Sequence, residues 1–478
     1  MLSPVENPAE SIAFEDHAAA SIAAHEFFAT KKPIWVARAS GRLDFMGGNV
    51  DYTGGMVLQS LLREAVSVSV QPRTDDVIRI LNPGAEQFGW RPTFELRIDD
   101  LTRAADLRVQ YQTKQSHWVR YVLGALYFLK SRHGWGSSGG IDIFIASDLP
   151  PNKGVGSSAA LEIAVLKAAS AAHGVALTGI SLATAGQWVE NVVVGAACGI
   201  MDQAAIVLGQ ENHLLPVLCQ PCQPSAPIRL PPDVCIWGID SMVSRSTTGS
   251  AYETARAAAF IGYKLICQRE GIDVAFVEES GIPRWKDRRW DGYLSNLAHS
   301  ECRSRYERWL PESLSGRECL ARVGTHADPF TTIHPDTEYP VRAAVRYATE
   351  EHTRVQIVRA LFESSAEGIS DSALNHIGEI LCQSHAAYAE CGLGSDACDA
   401  LVAHALDAGF FGAKMTGGGA GGVVAILGRS GGRPAIHRIA QDFATQHGAI
   451  PHIFEGSSDG ADTFGIRVLP PPILQEKP

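Results

Sequence analysis

The sequence predicts a two-domain protein of mixed helices and strands, and three observations carry that expectation. Its 478 residues exceed what one hydrophobic core usually serves. Hydrophobic residues at 45% against 19% charged, with 46 Gly and 25 Pro, describe an ordinary folded chain able to bury a large core. Segments with strand alternation are interleaved with segments of helical periodicity along its length. The two domains are expected over residues 1–225 and 226–478.

Residues 1–32 are mixed in character and read as a helix or a loose arm. A strand opens at Ile34-Trp35-Val36-Ala37, and residues 56–70 are again extended, alternating Val with Ser near their end. A Gly-rich loop lies between them. Residues 118–130 have helical periodicity, whereas Ile141, Ile143 and Ile145 alternate as a half-buried strand leading into Pro150-Pro151. Residues 157–173 are Ala-rich and free of Pro and Gly, which predicts a helix. A second helix is expected over 183–194, and a third starts near Gly199-Ile200-Met201-Asp202. The Pro-rich stretch 216–232 reads as an interdomain connection. Residues 268–340 hold most of the remaining Trp and Arg with little periodicity and read as surface helices and loops. A charged amphipathic helix returns over 341–362, and residues 423–427 form a strand. No internal repeat of fixed period is visible.

Charge narrows the partners. With 41 Lys+Arg against 52 Asp+Glu the net charge is −11, which works against a nucleic-acid backbone as the main ligand and demands a local site for any anion. The amino terminus lacks a basic leader and an apolar h-region, and no apolar run approaches the roughly 20 residues that cross a bilayer. Neither secretion nor a membrane is expected. The 10 Cys are scattered. Their one close pair is Cys219-Gln-Pro-Cys222, with no second pair or His cluster at zinc spacing, and His299, Cys302 and Cys319 make no convincing ligand set. Reduced thiols in a cytoplasmic protein follow. Oligomeric state is not legible.

Three segments carry chemistry. Pro151-Asn152-Lys153-Gly154-Val155-Gly156-Ser157-Ser158-Ala159-Ala160 joins a strand to the Ala-rich helix, so glycine turns, free backbone N–H groups and the positive helix end converge where a phosphate would fit. The bland reading is a helix start capped by Ser157 or Ser158. A dinucleotide fingerprint fits poorly, because two prolines separate the loop from its strand and no acid follows about 20 residues on. Walker A and protein-kinase motifs are missing, and two G-x-S-x-G matches, at 136–140 and 428–432, lack the context of a nucleophile elbow. The second segment, Gly41-Arg42-Leu43-Asp44-Phe45-Met46-Gly47-Gly48-Asn49-Val50-Asp51-Tyr52-Thr53-Gly54-Gly55, sets an Arg and two Asp in a Gly-rich bend, a pattern able to bind sugar hydroxyls and equally able to be a structural turn. The third, Lys414-Met415-Thr416-Gly417-Gly418-Gly419-Ala420-Gly421-Gly422, lies between apolar strands and suggests tight backbone packing against a ligand or against the first loop.

In this order the three segments resemble the signature motifs of the GHMP small-molecule kinase superfamily. Within it, the first segment and Trp237 to Arg256 (WGIDSMVSRSTTGSAYETAR) are similar to the sugar-1-kinase branch, most of all to the kinase domain of the L-arabinokinase family. The resemblance covers roughly residues 33–467. It implies two α+β domains with the active site in the cleft between them, binding of ATP and Mg²⁺, and a monosaccharide acceptor. Carried over, Gly154, Val155, Gly156, Ser157, Ser158 and Ala159 would cradle ATP, with Gly417, Gly418 and Gly419 beside it. Ser158 and Glu190 correspond to the Mg²⁺ ligands, and Lys153 adds a phosphate contact or is simply a surface lysine. Asp202 matches the catalytic acid and Arg42 its basic neighbour. Asp51 and Tyr252 match sugar-contacting positions.

Gly48 and Asn49 stand where galactokinases place a Glu-His pair reaching the hydroxymethyl arm of galactose. L-arabinopyranose has the galactose ring stereochemistry without that arm, and a Gly opens space rather than closing it. The resemblance therefore implies formation of L-arabinose 1-phosphate, with D-galactose as the rival acceptor. A catalytically silent sugar sensor is the reading from another class, and the intact set Ser158, Glu190, Asp202 and Arg42 weighs against it.

Overall fold

The computed structural model describes residues 27–470 except 30, 31, 138, 245–249, 280, 281, 327, 366 and 367. Most of the expected amino-terminal arm lies outside the described residues. Phe27 and Phe28 within them pack against Phe144.

The spine of the first sheet is the long antiparallel pair β1 (Ile34–Met46) and β2 (Met56–Pro72). β3 (Val77–Leu81), β4 (Thr93–Arg97) and β5 (Ile141–Ser147) extend it in the order β1-β2-β5-β3-β4. At 17 residues β2 serves two neighbours, pairing over its first half with β6 (His213–Leu218) and over its second with β5. β7 (Gln223–Pro224) and β8 (Ile228–Arg229) pair with β6. The stretch expected to be an interdomain connection thus adds strands to the first sheet, with Pro216 in β6 opposite Leu58 and Pro224 in β7 opposite Val217.

A second sheet runs β14-β15-β9-β16, from β9 (Val234–Asp240), β14 (Gly412–Met415), β15 (Val423–Arg429) and β16 (Ile453–Phe454). Between β9 and β14 come the hairpin of β10 (Val274–Glu279) with β11 (Ile282–Asp287) and the short pair β12 (Leu314–Ser315) with β13 (Glu338–Tyr339). β17 (Ile466–Leu469) returns to the first sheet and pairs antiparallel with β1, Ile34 opposite Leu469.

The helices that frame the site are α1 (Val119–His133), α2 (Ser157–Ala172), α3 (Gly179–Trp188), α4 (Met201–Leu208), α5 (Ser250–Arg269), α6 (Val341–Glu363) and α7 (Asp371–Glu390). α2 lies against β1 and β2 with Ala159, Ala160, Ile163, Ala164, Val165, Leu166 and Ala168 all buried. Its Ala content is what lets a helix sit enclosed on nearly every side.

Three sequence expectations change. β5 is not half-buried: Asp142 and Phe144, on its presumed wet face, are 3% and 2% exposed. Arg73 and Arg79 each reach Asp142 at 2.9 Å, and Phe28 covers Phe144. The helix expected over 183–194 starts earlier, at Gly179, and after Trp188 widens into a π-helical turn, Val189–Val194. Residues 268–340 are not a solvated surface. Trp285, Trp290, Leu294, Tyr306, Leu310 and Cys319 join one face of α5 in a separate apolar core.

Candidate active site

α2 begins directly after a residue in the left-handed region: Gly156 is its N-cap at φ 73°, with no side chain capping the helix. Gly154 (φ 76°) and Asn152 (φ 60°) precede it in the same region. Ser157 and Ser158 are therefore the first residues of the helix, and neither is the cap that the bland reading required. Their N–H groups keep the positive helix end free for an anion.

β1 carries Arg42 to this loop. The Arg42 N–H donates to the Val155 carbonyl at 2.9 Å, and its guanidinium donates to the Gly154 carbonyl. The rest of the guanidinium grips Asp202: Nε and Nη2 donate to Oδ1 at 2.8 and 2.7 Å, and Nη2 to Oδ2 at 2.7 Å. Arg42 is 1% exposed, whereas the Asp202 side chain keeps 22%. Asp202 sits in the first turn of α4, where the helix dipole favours a carboxylate.

Asp51 lies flat against the turn before α4. A Cβ built on Gly199 would stand 2.0 Å from Asp51 Oδ2, so only glycine fits there. Burial first, then the charge of Asp202, raise Asp51 to about 6, against the opposing charge of Arg256 and hydrogen bonds from the Tyr52 and Met201 N–H groups. Tyr252 meets Tyr52 edge-on at 6.0 Å and is hydrogen-bonded to Arg256.

Glu190 occupies the π-helical turn and is 2% exposed. Burial and the charge of Asp202 raise it to about 7, and hydrogen bonds from Ser158, Cys198 and Gln203 oppose them. Gln203 Nε2 donates to Glu190 Oε2 at 2.8 Å. The Ser158 hydroxyl and the Glu190 carboxylate are thus partners beneath the phosphate-sized loop, hard oxygen donors of the type Mg²⁺ takes. Among the described residues no group of three or more His, Cys, Asp and Glu is arranged to hold a metal by itself, so a cation here would need ligand oxygens and water.

The third Gly segment packs against the first. Asp44 Oδ2 accepts from Lys414 Nζ and from the Gly417 N–H, both at 3.2 Å, while Gln59 donates to Oδ1 at 2.7 Å. Tyr388 and Asn49 donate to the Gly417 carbonyl at 2.7 and 3.4 Å, and Tyr347 donates to the Gly48 carbonyl at 2.7 Å. Thr416 reaches the Gly154 carbonyl at 3.5 Å, which joins all three segments. Two readings change here: that of Gly48, and that of Lys153 as a plain surface residue. Gly48 opens no space, because a Cβ on it would meet Tyr388 Oη at 2.1 Å and Asp44 Oδ2 at 2.3 Å. Lys153 is not a free surface lysine, being paired with Asp240 at 2.9 Å.

Two cavities adjoin these residues. One, of about 510 Å³, runs from Ser157 and Ser158 past Trp90, His117, Trp118 and Tyr121. Sequence reasoning missed this wall, whose only signal was aromatics scattered over 88–121. The other, of about 260 Å³, is bordered by Asp51, Gly199, Arg256, Tyr293 and Asp328.

The sequence matches the family described as GHMP kinases N terminal domain over residues 120–210 and the galactokinase galactose-binding signature over residues 25–72. It is 34% identical to L-arabinokinase of Arabidopsis thaliana, over 93% of this chain and 47% of that one, so it spans about half that relative's length. It is 27% identical to galactokinase of Roseiflexus sp. (strain RS-1), over 90% of this chain and 92% of the other. The crystal structure of Lactococcus lactis galactokinase complexed with galactose superposes with a TM-score of 0.72 at 21% identity, covering 94% of this chain and 99% of that one. Fold and motifs together are similar to those of small-molecule kinases of the GHMP family. The proteins it resembles include an L-arabinokinase and a galactokinase.

Proposed function

We propose that this chain is an ATP- and Mg²⁺-dependent sugar kinase that phosphorylates the anomeric hydroxyl of L-arabinose. The observation that carries the reading is the Arg42–Asp202 pair, held by Arg42 against the Gly154–Val155 carbonyls at the mouth of an uncapped helix. Asp202 accepts the proton of the attacking hydroxyl, and Arg42 holds its carboxylate in place and offsets charge near the incoming phosphoryl group. The backbone of Gly154 to Ala159 binds phosphate oxygens, with Gly417 to Gly419 closing the same space. Ser158 and Glu190 would hold Mg²⁺, which when bound neutralises phosphate charge. The 510 Å³ cavity leading from Ser158 between Trp90, His117 and Trp118 suits the nucleoside. Asp51 and Tyr252 orient the sugar. The free thiols of all ten cysteines accord with a cytoplasmic location. Among the described residues no helix is long and apolar enough to cross a membrane.

Two arguments favour a pentose. The relative at 34% identity is an L-arabinokinase. Tyr388 leaves no room for a side chain at residue 48, so that position offers no polar partner to a hydroxymethyl arm, and Asn49 turns its Nδ2 to the Gly417 carbonyl. A site with no partner for a hydroxyl gains nothing from a substrate that carries one. The deciding measurement is kcat/KM for L-arabinose and D-galactose by ADP release. Preference for L-arabinose is expected, and a tenfold preference for galactose would overturn the assignment. ATP turnover without dependence on either sugar would reject sugar kinase activity altogether.

A further inference from the structure

The 268–340 segment borders the acceptor side of the site, and one of its ion pairs reaches Arg256. Arg256, on the α5 face that this segment covers, is 3% exposed and is held by Asp328, Nε to Oδ2 at 2.7 Å and Nη2 to Oδ1 at 2.9 Å. Asp328 is fixed in turn by Thr331, whose hydroxyl donates to Oδ2 at 2.7 Å. The remaining Arg256 nitrogen, Nη1, donates to the Ala197 carbonyl at 3.0 Å, two residues before Gly199. Its guanidinium lies 4.9 Å from the Tyr52 ring centroid, and Arg256, Asp328 and Asp51 border the same 260 Å³ cavity.

We propose that Asp328 is a positioning residue for acceptor binding: by fixing Arg256 against the 197–199 turn and beside Asp51, it supplies the acceptor carboxylate with its counter-charge. The 268–340 segment is then part of the sugar site. Two carboxylates, the buried Asp51 and the half-buried Asp202, stand near one another, and Arg42 is committed to Asp202 through both of that residue's oxygens. The cation left to Asp51 is Arg256. Other ionisable groups facing Asp51 are Arg42 from β1, Asp202 from α4, Tyr252 from α5, Cys198 and Cys219 from the adjoining turns, and Tyr52. Of these only Arg42 is cationic. An ionised carboxylate is what accepts from two neighbouring hydroxyls, so loss of Arg256 weakens acceptor binding most at low pH.

The test is the pH dependence of kcat/KM for the sugar at saturating ATP, with kcat/KM for ATP measured in parallel. Replacing a buried ion pair by apolar residues of similar bulk commonly preserves folding, so the informative variant is the double substitution Arg256→Met with Asp328→Leu. The native protein should lose sugar kcat/KM below about pH 6, the value to which Asp51 is raised. In the double variant that limb should move up by at least one pH unit, a loss of about threefold at pH 6.5 that grows to about tenfold by pH 5, while the ATP profile stays within threefold of native. The single variant Asp328→Asn frees Arg256 to pair with Asp51 directly, so its sugar KM should rise at least tenfold with the acid limb moved downward. An acid limb in its native position in the double variant overturns the proposal. The proposal rests on Asp51 as a sugar contact, and Asp51→Asn in the native background separates the two: an unchanged sugar KM there rejects the acceptor-site reading itself.

Discussion

In the proposed reaction Asp202 acts through position, and Arg42 sets that position with three hydrogen bonds. Asp202→Asn should fold and still bind sugar while turning over about 10² to 10⁴ times more slowly, read from steady-state rates beside a sugar titration. Native turnover would remove Asp202 from the role. Glu190 gives a stability prediction. Its unfolded value is 4.5 and its folded value about 7, so the native state favours the protonated form. That contribution is fully present below pH 4.5, is lost as pH rises to about 7, and leaves a cost above it. Metal-free Glu190→Gln should therefore be more stable than the native protein at pH 8 by about 2 to 3 kcal/mol, with the gap shrinking toward pH 5. Chemical denaturation at both pH values checks it, and a gap independent of pH would exclude this origin. At this scale the sequence made Arg42, Asp202, Glu190 and Asp51 visible through their motifs. The partnerships of Lys153 with Asp240 and of Gly48 with Tyr388 were not visible, because each joins residues far apart in the chain.

Among the elements, the turn into α2 has the sharpest requirement. Gly156 stands at φ 73°, and a Cβ there would lie 3.2 Å from Arg42 Cγ and 3.3 Å from Ile206 Cδ1. Gly156→Ala should cost about 1 to 2 kcal/mol from the left-handed backbone alone and raise KM for ATP more than for the sugar. Thermal unfolding and paired KM values test this, and an unaltered KM for ATP would separate the turn from nucleotide binding. α2, β1, β2 and β15 were legible because composition or period sets them apart. β5 was misread because strand alternation reports hydrophobicity, and Asp142 entered the interior as the partner of two arginines. The 268–340 segment was misread for a related reason. Its arginines form ion pairs, such as Arg289 with Glu270 and Glu301, over a core whose apolar residues follow no regular period.

Across the whole molecule, Asp44 and Lys414 tie the first sheet to the second with both side chains fully buried. Lys414→Met leaves the Asp44 carboxylate enclosed without its cation, which should cost about 3 to 5 kcal/mol in equilibrium denaturation. A loss below 1 kcal/mol would mean that the tie is dispensable. The general plan was readable from length, from the three glycine segments and from their order. How the sheets are joined was not, because strand order depends on pairings that no local pattern records. The pairing of β17 with β1 is the longest of these. As the polypeptide leaves the ribosome, residues 34–37 must wait for more than four hundred others before their outer hydrogen-bonding edge is covered. Throughout synthesis that edge is open to foreign strands, so nascent chains should depend on chaperones far more than the finished protein does.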